Sequence, residues 1–255
     1  MKIIQQIFLL SLFLSTQARS QSASEQFSKA VQLKSQYKFP ESFLLFQQLL
    51  KSDSNNVDYL NNTAFLLCKL GNREKDEKKR QHNFQLAAWL SKKAVSIDRN
   101  NAQAHLYRAL ALGRISEFAS SKQKIANAKE IKSECDLAIK LDPNLAWAYH
   151  ILGRWHRTIA DFNFIERAAI NALYGGVPQG GSLDEAISCF SKAIKLEPGN
   201  PLNCYELAVT YHERGKTNDD SYAKAWLKEA LKLPVRDPDD EETKRKSEEL
   251  LKKLN

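Results

Sequence analysis

The sequence predicts an all-α protein, a right-handed superhelix of about five helix pairs, some enlarged, closed by a C-terminal capping helix. Three observations predict it. A helix-ending motif recurs along the chain, each copy is followed by small and large apolar residues at helical spacing, and glycine (9) and proline (7) are scarce among 255 residues. The motif reads Lys93-Ala94-Val95-Ser96-Ile97-Asp98-Arg99-Asn100, then Leu137-Ala138-Ile139-Lys140-Leu141-Asp142-Pro143-Asn144, then Lys192-Ala193-Ile194-Lys195-Leu196-Glu197-Pro198-Gly199-Asn200. Proline cannot continue a helix, and asparagine or glycine accepts turn geometry, so each copy closes one helix and admits the next. Ala230-Leu231-Lys232-Leu233-Pro234 is a weaker copy, and Leu49-Leu50-Lys51-Ser52-Asp53-Ser54-Asn55 a degenerate first one.

Taken in chain order, residues 1–20 come first and stand apart. Lys2 supplies a positive start, Ile7 to Leu14 is apolar except for Ser11, and Ala18-Arg19-Ser20 is a small-x-small cleavage site before Gln21. As a helix that eight-residue core spans about 12 Å, against roughly 30 Å for a bilayer. The segment therefore reads as a removed signal peptide, with no stable membrane span afterwards. Residues 21–255 are left as one helical repeat domain of a protein exported to a bacterial periplasm or secreted.

Beyond each stop a helix opens with small and large residues four apart, as in Ala146-Trp147-Ala148-Tyr149-His150-Ile151-Leu152-Gly153 and Leu202-Asn203-Cys204-Tyr205-Glu206-Leu207-Ala208. Gly153 and Ala208 let a second helix approach closely, and Gly71 and Gly215 read as further stops. This is the tetratricopeptide pattern, a helix-turn-helix unit that must stack on a neighbour to bury its apolar face. The period is irregular. From Leu49 to Ala94 is 45 residues, to Ala138 a further 44, to Ala193 a further 55 and to Ala230 a further 37, against about 34 in a regular unit. The surplus is expected between the two helices of a pair. In the longest interval it falls in Arg157 to Ser182, helical through Ala160 to Ala169 and then broken at Tyr174 to Gly181.

Charge and cysteines exclude several classes. The net charge is +8, from 38 basic and 30 acidic residues, and the lysines recur at solvent-facing spacing among acids, so a nucleic-acid partner is not expected. Cys68, Cys135, Cys189 and Cys204 show no CxxC spacing, which argues against zinc, and each lies in a helical apolar pattern that suits a small core residue. An exported chain also permits disulfides among them. His150 and His156, six residues apart, point roughly 240° apart around a helix and make a poor metal pair. No nucleophile elbow, metalloprotease helix, phosphate loop or dinucleotide fingerprint occurs, so no catalytic residue and no cofactor are expected. Asp239-Asp240 and Glu241-Glu242 precede the final helix, where they complement its positive N-terminus.

The segment from Trp155-His156-Arg157 through Ala168-Ala169-Ile170-Asn171-Ala172-Leu173-Tyr174-Gly175, with Pro178, Ser182-Leu183-Asp184-Glu185-Ala186 and the Leu196-Glu197-Pro198-Gly199 stop, resembles the regulator of microtubule dynamics family. The closing Ala230 to Pro234 and Asp239 to Glu242 are similar too, and the resemblance runs over roughly Ala87 to Leu254. It implies a tetratricopeptide domain, microtubule or organelle-contact roles in animals, and lipid handling in one branch. The signal peptide stands where membrane-anchored relatives carry an anchor.

What remains is a surface. The first helices of stacked pairs line a concave side, and their outward positions give Asp58, Asn61, Gln103, Leu106, Trp147, His150, Arg154, Arg157, Tyr205 and His212 as candidate binding residues. Trp and Tyr beside Arg are enriched at binding hot spots. The expected function is a non-catalytic scaffold binding a protein or peptide partner in its groove. The alternative is a hydrophobic-ligand or lipid module, for which Phe162, Phe164 and Ile165 beside the glycine loop speak.

Overall fold

A computed structural model describes residues 23–255, so the export signal expected at 1–20 lies outside the described residues. Among the described residues there are twelve α-helices: α1 (23–35), α2 (Phe39–Ser52), α3 (Val57–Arg73), α4 (Glu77–Ile97), α5 (Ala102–Ile115), α6 (Ser121–Leu141), α7 (Ala146–Ala160), α8 (Phe164–Tyr174), α9 (Leu183–Leu196), α10 (Pro201–Arg214), α11 (Asp219–Lys232) and α12 (Pro238–Leu254). They pack as five antiparallel pairs, α1/α2, α3/α4, α5/α6, α7/α9 and α10/α11, with α12 capping the last. Successive first helices touch, α3 on α5, α5 on α7, α7 on α10 and α10 on α12, and form the inner row of a right-handed tetratricopeptide-type superhelix.

The recurring stop is explained by its hydrogen bonds. Asp98, Asp142 and Glu197 each close a helix by donating their backbone N–H to the carbonyl of Ala94, Ala138 and Ala193. The carboxylates of Asp53, Asp98 and Asp142 then turn back and accept the N–H two residues on, at 3.0, 2.9 and 2.9 Å. That turn fixes the angle at which the next helix departs. New helices are capped by side-chain oxygens of Asn56, Asn101 and Asn200. The marker alanines Ala94, Ala138, Ala193 and Ala230 are fully buried, and the four cysteines, all of them free, are buried as well.

Three expectations change. The surplus length of the first two intervals lies within the second helices of their pairs, since α4 and α6 are 21 residues each. The segment around Ala160 to Ala169 is two helices and not one: α7 stops at Ala160, and Asn163 with Glu166 forms a capping box that starts α8. Gly71 is no stop, because it is buried inside α3, where a Cβ would come within 2.5 Å of the Phe84 ring. Gly215 does end α10, in the left-handed conformation (φ 64°).

Close approach at Gly153 is confirmed, since a Cβ there would sit 2.9 Å from the Phe190 ring of α9. Gly153→Ala is expected to force Phe190 off its rotamer and destabilise the α7/α9 pair by about 1–3 kcal/mol. Urea denaturation would check it, and an unchanged midpoint would show that the ring moves freely.

Candidate functional site

The inner row curves until its two ends meet, and the contact between them shapes the site. Lys69 and Arg73 lie one turn apart on α3, and Asp237 and Asp239 begin α12. The Lys69 ammonium sits 2.7 Å from Asp237 and 2.5 Å from Asp239, while Arg73 Nε is 2.9 Å from Asp239 and its Nη2 pairs with Asp237. Beneath both cations lies the Phe39 ring, 5.4 Å from Lys69 Nζ and 5.0 Å from Arg73 Cζ. Burial alone would raise the Asp239 carboxyl, but the Arg73 hydrogen bond and the Lys69 charge outweigh it and hold its pKa below the usual carboxylate value. These groups form a clasp between the second helix pair and the cap.

Behind the clasp is a cavity of about 550 Å³. One wall is apolar, built by Phe39, Phe65, Leu110 and Trp147. The same residues open into a smaller chamber of about 190 Å³, lined further by Leu106, Tyr107 and Ile151. The other wall is charged. Glu206 of α10 is buried, with Arg157 Nη1 at 2.5 Å and Arg154 Nε at 3.6 Å. Burial pushes its pKa up, yet Arg154 and then Arg157 prevail and keep it below the ordinary glutamate value. Arg157 also faces Glu213 at 3.4 Å.

Between the two walls stands Arg114 of α5. Its nearest carboxylate is Glu117, at 3.9 Å, and its Nε has no hydrogen-bond partner among the described residues. Burial, and after it the neighbouring Arg154 guanidinium, hold Arg114 below the ordinary arginine value. It stays a cation at neutral pH, because arginine does not deprotonate in proteins.

The structure brings together three of the sequence-derived candidates, Trp147, Arg154 and Tyr205, on the cavity. Leu106 joins them in the smaller chamber, and Arg157 acts from behind through Glu206. The other five are placed elsewhere. Asn61 is fully buried and donates to Asn101 Oδ1 at 3.3 Å. His150 is buried between the Trp147 and Phe190 rings, with Nδ1 2.7 Å from Asn203 Oδ1. Both face the neighbouring first helix, because adjacent inner-row helices bury the strip between them. Asp58 and Gln103 are exposed at the starts of their helices, and His212 is exposed beside Asp220 at 2.8 Å; none of the three lines the cavity.

Sequence reasoning missed Lys69, Arg73, Arg114, Glu206, Asp237 and Asp239. Lys69 and Arg73 are the two cations of α3, four residues apart and so on one face, but nothing in that spacing says what they meet. Asp239 did carry a helix-start reading, but its partners lie more than 160 residues away, 166 in the case of Arg73.

Residues 22–255 match the family described as regulator of microtubule dynamics protein 1-3. Regulator of microtubule dynamics protein 1 of Bos taurus is 27% identical over 230 residues, covering 90% of this chain and 67% of the bovine protein. Protein 2 of Homo sapiens is 26% identical over 216 residues, covering 84% of this chain and 52% of the human one. The chain thus spans about two thirds of the first relative and half of the second. Among solved structures, a thermophilic TPR protein of Thermus thermophilus superposes with a TM-score of 0.62 at 18% identity, over 88% of this chain and 98% of that one. PilF of Pseudomonas aeruginosa superposes with a TM-score of 0.54 at 13% identity, over 93% of each chain. At those identities the likeness is one of fold.

Proposed function

The chain belongs to the regulator of microtubule dynamics protein 1-3 family, a helical scaffold of the protein-interaction type, and from that premise we propose that its cavity holds a short peptide segment bearing a carboxylate. Arg114 carries the reading. It is half-buried, its Nε has no partner among the described residues and its counter-ion Glu117 stands off at 3.9 Å, so a carboxylate arriving between Arg114 and Arg154 would complete its hydrogen bonding. The aromatic wall of Phe39, Phe65 and Trp147 then offers a surface for the adjoining side chain. A volume of about 550 Å³ suits a segment of a partner better than a folded surface.

Arg114→Met keeps the length of the side chain and removes its charge. Fluorescence polarisation with a pool of short labelled peptides, free or amidated at the C-terminus and with or without acidic side chains, would measure the result. Loss of the charge-assisted contact is expected to weaken carboxylate-bearing peptides by about 10- to 100-fold. Equal binding of wild type and variant, or of peptides with and without a carboxylate, would sink the proposal.

The smaller chamber favours a second reading, a hydrophobic or lipid ligand whose polar end meets Arg114 while its tail enters between Leu106, Tyr107 and Ile151. Native mass spectrometry of protein purified without detergent separates the two. A co-purified ligand that peptide cannot displace would support the second, and an empty chain that binds peptide the first.

A further inference from the structure

Helix α8 turns its apolar face outward. At 100° per residue, Phe164, Ile165, Ala168, Ala169, Ala172 and Leu173 share one arc of about 180°. All six are exposed, Phe164 by 85%, Ile165 by 77% and Leu173 by 69%. The opposite side carries Arg167, Ile170 and Tyr174, each half-buried against the protein.

The helix is built to hold this orientation. It starts at the Asn163–Glu166 capping box and ends at Gly175 in the left-handed conformation (φ 72°). Arg167 fastens it to α7 by donating to the carbonyl of Ile159 at 2.6 Å, and to the connecting turn by donating to the carbonyl of Phe162 at 2.9 Å. Asn171 holds the exit by accepting from Val177 N–H at 3.0 Å. An ordinary surface helix points its apolar stripe at the core, and this one does the reverse.

Beside it runs a basic face. Lys122, Lys129, Lys132 and Lys140 fall within roughly 60° of one line along α6. Asp136, the one acid on that line, pairs with Lys132 at 2.7 Å, which leaves Lys122, Lys129 and Lys140 as the unneutralised charges of the face. The remaining acids of α6 are engaged inward, Glu130 by Arg108 at 2.8 Å and Glu134 by His105 at 2.5 Å. Lys129 Nζ reaches the carbonyl of Gly175 at 3.3 Å, which joins the lysine face to the end of α8.

Two arguments select the occupant. The exposed Phe164, Ile165 and Leu173 with the three alanines between them present an apolar strip on the order of 500 Å², short of the about 800 Å² that a stable dimer or protein complex covers on each side. A lipid surface has no such minimum, and it offers apolar depth to the strip and negative headgroups to the lysines at once. We infer that α8 and the lysine face of α6 dock on an anionic bilayer surface, with α8 lying in the headgroup layer. This goes beyond the cavity reading and does not depend on it.

The test is flotation of the full chain with vesicles of phosphatidylcholine and phosphatidylserine at about 7:3, and with phosphatidylcholine alone. Wild type is expected to float with the mixed vesicles, and Phe164→Glu/Ile165→Glu/Leu173→Glu to float at least about fivefold less. Lys122→Glu/Lys129→Glu is expected to lose the preference for phosphatidylserine. All variants share residues 1–20, so any contribution from that segment cancels. Wild type that does not float, or a triple variant that floats equally, overturns the inference. So does a wild-type dimer by light scattering that the triple variant converts to monomer with flotation unchanged, which would assign the face to a second copy. Should the triple variant fail to fold, hydrogen exchange of residues 162–176 in wild type decides: slowing by about threefold or more on mixed vesicles supports docking, and unchanged exchange overturns it.

Discussion

Replacing Asp237 and Asp239 together by asparagine is expected to lower the stability of the protein by about 3 kcal/mol. Exposed ion pairs contribute about 0–1 kcal/mol each, but these are not fully exposed: the Lys69 and Asp237 side chains are 14% and 8% accessible. The substitution leaves Lys69 and Arg73 over the Phe39 ring with no anion, and the uncompensated desolvation of two cations is the main cost. Asparagine keeps an acceptor for the N–H groups at the start of α12, where Asp237 now accepts from Asp239 N–H at 3.2 Å, so the helix itself survives. Urea denaturation measures the loss, and hydrogen exchange should show it concentrated in α12. A variant as stable as wild type, with α12 exchange unaltered, would mean that the clasp contributes nothing beyond its helix cap.

The second large effect is acid sensitivity through His150. Its burial, opposed by Glu206 and reinforced by Arg154, brings its pKa from 6.5 down to about 4. In the unfolded chain the same histidine takes up a proton near pH 6.5. Between those values the unfolded state binds a proton that the native state refuses, so stability falls as pH falls across the window. Above pH 6.5 the side chain is neutral in both states and there is no penalty, and below about pH 4 the penalty is complete. A gap of this size corresponds to about 3 kcal/mol. His156 is shifted downward as well, chiefly by burial, and acts in the same direction. His150→Gln should flatten the stability profile between pH 6.5 and 4 relative to wild type, measured by urea midpoints at half-unit steps; an identical slope would refute the assignment.

The helical array was legible because its punctuation is local. An aspartate that accepts the N–H two residues on leaves its mark in a few adjacent letters, and the copies at Asp53, Asp98 and Asp142 could be aligned by eye. The break before α8 was equally local. Asn163-Phe164-Ile165-Glu166 spells a capping box, but the apolar residues around it suggested a continuous helix. Asn61 and His150 were misplaced for a different reason. Helical phase says which residues share a face but not how wide the contact with the next helix will be, and a wide contact turns part of the groove lining into core. Arg114, Glu206 and the clasp were out of reach, since they depend on how far the superhelix turns before its ends meet.

That meeting of ends sets an order of events during synthesis. Repeat arrays are held together by neighbours, so α1 to α4 can pack as soon as they emerge. Arg73, however, waits for Asp239, 166 residues later, a delay on the order of ten seconds at common translation rates. Throughout that interval Phe39, Lys69 and Arg73 face water without their cap. The nascent chain therefore passes through an open-ended form whose aromatic wall any waiting binder could reach before α12 arrives.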